Sequence, residues 1–175
     1  MNIAMSDTRQ KFPLSQKKII KKTLAATFLW VLILIGVGVY AVFFQNMSVE
    51  PQYAALSHYI TSGAILFLCV VIALTYFYQQ WYFAVYFYDL TADYIVIRKG
   101  PITPREITIP YERIQDVYMD QDILDRIMGL YDVHLSSATA SSGMAAHIDG
   151  LEKTAADGLR AQLLETVSRK IGKKA

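Results

Sequence analysis

The sequence predicts an α+β membrane protein: a two-helix transmembrane hairpin followed by a small β-domain that a C-terminal amphipathic helix closes. Three observations predict it. Two long apolar stretches without formal charge lie in the first half of the chain, short alternating runs broken by turn residues follow, and the closing segment repeats apolar residues four apart. The composition agrees, with 54% apolar residues and a mean hydropathy of +0.28, too greasy for one small soluble domain.

The first span runs from Thr23 to Phe44, 22 residues without a charge. As a helix it would extend about 33 Å, enough for a hydrocarbon core of about 30 Å. A secretory signal would be shorter and would end in small residues, so this run reads as a retained anchor. No formally charged residue occurs between Glu50 and Asp89, and Tyr59 to Tyr78 forms the apolar heart of a second span over residues 58–80. Tyr76, Phe77, Tyr78, Trp81, Tyr82 and Phe83 read as an aromatic belt at headgroup level, with Trp30 and Tyr40 as weaker cases in the first span. A buried hairpin in a soluble protein is the bland alternative, but the remaining chain is too short to cover two such helices.

Charge is distributed unevenly. Residues 1–22 carry Arg9, Lys11, Lys17, Lys18, Lys21 and Lys22 against Asp7, a balance of +5; residues 83–175 carry eleven cations against thirteen acids. The connector from Gln45 to Ser57 holds only Glu50. Cations flanking the first span put the N-terminus in the cytoplasm, so residues 81–175 are expected there too, with the connector outside and the chain in the cell membrane. Asn46-Met47-Ser48 matches a glycosylation tripeptide, a weak pattern so close to a span. Nucleic acid is not an expected partner, because the cations gather beside the span rather than on the folded domain.

Beyond Trp81 the chain reads as strands and turns. Val85 to Tyr88 is a candidate first strand, Asp89 to Asp93 a turn, and Tyr94 to Lys99 a second strand stopped by Gly100-Pro101. Ile107-Thr108-Ile109 alternates and ends at Pro110; Ile114 to Met119 and Tyr131 to Leu135 alternate again, with a helical turn over Leu124 to Met128 ended by Gly129. Ser136 to Gly143 reads as a loop, and Ala145 to Ile148 as a last strand, with the strand count between Leu135 and Ile148 left open. The final helix shows an apolar face of Leu151, Ala155, Leu159, Leu163, Val167 and Ile171, an Asp149/Glu152 capping pattern at its start, and Arg169, Lys170 and Gly172 at its end.

The series Tyr88-x-Leu90-Thr91, Ile95 to Gly100, Ile109-Pro110-Tyr111-x-x-Ile114-Gln115-x-Val117, Asp125-Arg126-x-x-Gly129-Leu130 and Ile148-x-Gly150-Leu151 resembles the YdbS-like bacterial pleckstrin-homology family. The resemblance covers the chain from about Lys17 onward. It implies a helical membrane pair joined to a PH-like β-barrel or sandwich. Between Leu135 and Ala146 a Ser/Ala-rich stretch departs from the firmer strand and turn expected of that family.

Chemistry is sparse. His58, His134 and His147 are scattered, lone Cys69 lies in an apolar run, and no nucleophile–base pair, phosphate loop or metal-ligand spacing is recognisable. His147-x-Asp149 is too short for a metal site, and the acidic run Asp116, Asp120, Asp122, Asp125 lacks the Gly and Glu of a calcium loop and reads as a solvated face. The expectation is therefore no enzyme, no cofactor and no metal. The turn Leu90 to Asp93 has no cation, which argues against phosphoinositide capture between the first two strands of the fold that the resemblance implies. Lys17, Lys18, Lys21 and Lys22 are the candidate contacts to anionic headgroups, with plain topogenic charge as the bland reading. Gln115 and Asp116, polar positions on an alternating strand, are the candidate partner contacts. The expected function is a membrane-anchored interaction module that binds a protein partner, a second copy or lipid headgroups. The alternative is an accessory subunit of a transporter or of a membrane enzyme acting at the lipid interface.

Overall fold

The computed structural model describes residues 6–46, 51–137 and 146–172, and the chain divides into two compact units. One is Lys22–Gln80; the other joins Met1–Lys21 to Trp81–Ala175. Residues 6–21 of the basic segment fall in the same compact unit as the β-domain.

The helical unit is a hairpin of α2 (Lys17–Asn46) and α3 (Pro51–Val85), each long and apolar enough to cross a membrane. Both helices extend past the apolar stretches at either end. Trp30 of α2 meets Phe67 of α3 edge to face at 5.4 Å between ring centroids. Large apolar side chains such as Phe28, Leu29, Leu66 and Phe77 point outward. The hydroxyls of Thr27, Thr61 and Thr75 donate to the carbonyls of Thr23, Ser57 and Val71, so these polar groups are satisfied inside their own helix. The glycosylation tripeptide runs into residues outside those described.

The β-domain holds two antiparallel three-stranded sheets among the described residues. β1 (Phe87–Leu90), β2 (Tyr94–Lys99) and β3 (Arg105–Pro110) form one in the order β1-β2-β3; β4 (Ile114–Asp120), β5 (Leu130–Ser137) and β6 (His147–Glu152) form the other in the order β4-β5-β6. Alternation carries Tyr88, Ile95, Ile97 and Ile109 of the first sheet and Val117, Val133 and Leu135 of the second into one core, and Ile148 and Leu151 of β6 join it on either side of an irregularity in the β5–β6 register. Helix α5 (Lys153–Gly172) covers it with Ala156, Leu159 and Leu163. Short α4 (Ile123–Met128) links β4 to β5; an Asp122–Asp125 capping box starts it, and Gly129, at a φ of 69°, ends it in the left-handed conformation.

Three expectations are corrected. The first strand begins at Phe87, because α3 continues to Val85. The last strand runs to Glu152, so Asp149 and Leu151 belong to β6 and α5 starts at Lys153 without the Asp149/Glu152 cap. Tyr82 and Phe83, expected in the aromatic belt, are partly buried and pack against the β-domain core. Ser136 and Ser137, expected in the loop, continue β5, and the rest of that stretch, residues 138–143, lies outside the described residues.

The N-terminal segment closes this core through contacts with residues 74 or more positions away. Helix α1 (Asp7–Lys11) is capped by Ser6, whose Oγ accepts the Arg9 N–H at 3.0 Å and donates to the Tyr88 carbonyl. Phe12 and Leu14 enter the core, Leu14 bridges Leu151 of β6, and the Ser15 N–H donates to the Gly150 carbonyl at 2.9 Å. The Tyr88 hydroxyl donates to the Phe12 carbonyl, and the Thr8 hydroxyl to Asp89 at 2.6 Å.

Candidate functional site

The densest concentration of charge inside the β-domain surrounds the first turn of α2. Lys18 and Lys21, three residues apart, share a helix face. They are only 2% and 3% exposed. The Lys18 ammonium donates to Asp149 at 3.0 Å and sits 3.7 Å from the centroid of the Tyr86 ring; Lys99 approaches the same Asp149 oxygen at 3.9 Å. Lys21 reaches Asp125 at 2.5 Å, Asp122 at 2.8 Å and Asp132 at 4.0 Å. Asp125 is fully buried, and its Oδ1 has no hydrogen-bond partner. Gly150 makes room: its φ is +81°, and a Cβ there would fall 2.7 Å from the Lys18 side chain.

Arg9 performs the matching service for α3. It donates to the Phe83 carbonyl at 3.0 Å and to the Tyr86 carbonyl, capping the C-terminal turn of that helix, where a cation also complements the helix dipole. Thus the β-domain incorporates the first turn of α2 and the last residues of α3 through three buried cations.

The electrostatics of the cluster are strained at one acid. Burial, and then the nearby Asp149 and Asp125 carboxylates, push the Asp132 carboxyl up to about 6, although it accepts the Gly150 N–H at 2.8 Å. Burial, with Asp149 close by, raises the Tyr86 hydroxyl well above its ordinary value, keeping it a neutral donor to the His147 carbonyl at 3.2 Å.

The lysine assignment is therefore corrected. Lys18 and Lys21 are committed to carboxylates inside the protein and are not open to headgroups. Lys17 is exposed, with its ammonium 3.4 Å from the Met128 carbonyl and 3.8 Å from Glu152, and Lys22 is partly buried. The acidic run is also not one solvated face: Asp116, Asp120 and Asp122 are exposed, but Asp125 is buried against Lys21. Gln115 and Asp116 are both exposed on β4, at an irregularity in its register with β5. The β1–β2 turn receives a cation from elsewhere, since Lys170 of α5 pairs with Asp93 at 2.5 Å.

Asp120, Asp132 and His134 bring three ligand-type atoms within 4.8 Å of one another, a grouping the spacing did not suggest. The His134 Nε2 lies 3.0 Å from Asp120, and its ring stacks between Tyr118 and His147 at 5.0 and 5.2 Å. Hydrogen bonding and stacking account for this arrangement without an ion. A shallow depression beside it, of 340 Å³, is lined by Met119, Asp120, Gln121, Arg126 and Tyr131.

The order of elements, with a helical pair leading into two small sheets and a covering helix, coincides with the family relationship. The sequence model described as Bacterial PH domain matches residues 19–167. The chain belongs to the bacterial PH domain family. No curated protein and no solved structure matches it. In this bacterial PH domain protein the signal that could have exposed the lysine cluster was the pairing of charge with position: Asp125 and Asp149 interrupt apolar stretches, and buried acids require cations.

Proposed function

We propose that this chain is a membrane-tethered, non-catalytic interaction module, oriented with both termini in the cytoplasm and with its PH domain stationed at the inner membrane surface to bind a protein partner or a second copy of itself. The observation that carries this reading is the trio of buried cations, Arg9, Lys18 and Lys21, because they build the ends of both long helices into the PH domain. Tethering of that kind raises the local concentration of the domain, so weak contacts suffice for association. The orientation is supported by the cations that flank the first span and by their absence from the connector. Gln115 and Asp116 are the preferred contact residues, since they are exposed on β4, an outer strand of its sheet among the described residues.

Photo-crosslinkers placed at Gln115 and Asp116 in native membranes, followed by identification of the adducts, test the proposal. A discrete adduct with one protein or with a second copy is the expected result. Recovery of uncrosslinked chain alone, under conditions that capture a control complex, refutes it.

A further inference from the structure

Helix α4 presents two large apolar side chains to the outside: Ile123 is 80% exposed and Ile127 74%. They are four residues apart and so lie on one face, next to exposed Arg126. Side chains of this size are normally turned inward on a short amphipathic helix, and α4 does turn Asp125 inward instead.

The contacts of α4 fix what lies beside it. Asp122 and Asp125, at its start, hold Lys21 at 2.8 and 2.5 Å, while the Met128 carbonyl, at its end, accepts from Lys17 at 3.4 Å. The start of α4 is thus held by the Lys21 side chain and its end lies within reach of Lys17, which puts Ile123 at the Lys21 end and Ile127 toward the Lys17 end. Lys21 precedes the uncharged run that begins at Thr23 by two residues, about 3 Å of helix. The headgroup zone on each side of a bilayer is about 5–8 Å deep. A bilayer that α2 enters at Thr23 therefore begins within one helical turn, along the chain, of the residue that holds the start of α4.

We propose that α4 is a membrane-interface contact: Ile123, and less deeply Ile127, insert among the headgroups of the same bilayer that the hairpin spans, with Arg126 directed at lipid phosphate. The proposal rests on the membrane-spanning reading of α2 and α3 and adds a third point of attachment to it. Its occupant is lipid, because the ion pairs of α4 tie it to the residues that immediately precede the span, and because apolar side chains flanking a cation suit the boundary between headgroups and acyl chains.

The test uses the full chain in phosphatidylcholine/phosphatidylglycerol vesicles. An environment-sensitive fluorophore is placed at a single cysteine: native Cys69, or Ile123→Cys, Ile127→Cys or Ile171→Cys in a Cys69→Ser background. Quenching by lipid-borne nitroxides is compared with quenching by aqueous iodide. The expected result is nitroxide quenching at position 123 at least about twofold stronger than at exposed position 171, weaker quenching at 127, and iodide protection in the same order. Iodide access at 123 equal to that at 171 overturns the proposal. So does protection at 123 from both quenchers, which would mean that a protein surface covers α4. Cys69, in the middle of α3, separates the two readings: deep nitroxide quenching there with none at 123 sinks only the α4 contact, and no quenching at either position sinks the spans as well.

Discussion

Replacing Lys21 by Met removes the cation that faces a completely buried carboxylate, and the structure sets how much that should cost. The Lys21–Asp125 separation is 2.5 Å, with side chains 4% and 0% exposed, so solvent screens the pair poorly. Asp125 also has an oxygen without a hydrogen-bond partner, and the variant would leave its charge with only the Asp122 N–H at 3.3 Å. Breaking a buried pair from one side costs about 3–5 kcal/mol, which for a domain of this size lowers Tm by roughly 10–20 °C. The double variant Lys21→Met/Asp125→Asn removes the stranded charge while keeping an acceptor for the α4 cap, and it should recover most of the loss. The assay is thermal unfolding of the full chain in detergent, followed by near-ultraviolet circular dichroism of the buried tyrosines at pH 7.5. A single variant that loses less than about 1 kcal/mol, or a double variant no better than the single, would refute the claim that Lys21 is a structural cation.

Other expectations follow from the same core. Asp132→Asn should stabilise the protein at neutral pH. Its carboxyl is raised from 3.8 to about 6 in the fold, so the unfolded chain loses that proton first and the wild type weakens as pH rises between those values, by about 3 kcal/mol in the limit. Melting curves from pH 4 to 8 should show the advantage of the variant growing with pH and vanishing at the acid end; a constant offset would contradict it. Phe12→Ala should cost about 3–4 kcal/mol in denaturant unfolding, since Phe12 is a core residue packed within van der Waals reach of Gly158. Gly150→Ala should destabilise by more than 1 kcal/mol in the same measurement, because it adds strain at a positive φ and presses on Lys18, whereas Gly36→Ala, with open space around it, should change little.

The elements legible in the sequence were those whose signal is local. Unbroken apolarity gave the hairpin, alternation gave Tyr94–Lys99 with the observed bounds, β4 to within one residue and the middles of β3 and β5, and Gly129 marked the end of α4. What was not legible depended on partners distant in the chain. Asp149 followed by Glu152 looks like a helix start until Lys18 is known to claim Asp149, and Leu151 fits a four-residue repeat equally well as a strand residue bridged by Leu14. Phe12-Pro13-Leu14 is too short to show any period. Lys18 and Lys21 illustrate the deepest ambiguity, because lysines before an apolar run have an adequate explanation in membrane topology, and only the carboxylates over 100 residues away reveal a second one.

The order of synthesis gives that second explanation a consequence. Lys18 and Lys21 leave the ribosome well before Asp122, Asp125 and Asp149, their eventual counter-charges. Until those acids are made they are bare, hydrated cations; once the last strand arrives they are withdrawn from solvent. A chain truncated before Asp149 would leave Lys18 without that carboxylate and Leu14 without Leu151, so the final stage of assembly waits for the residues of β6.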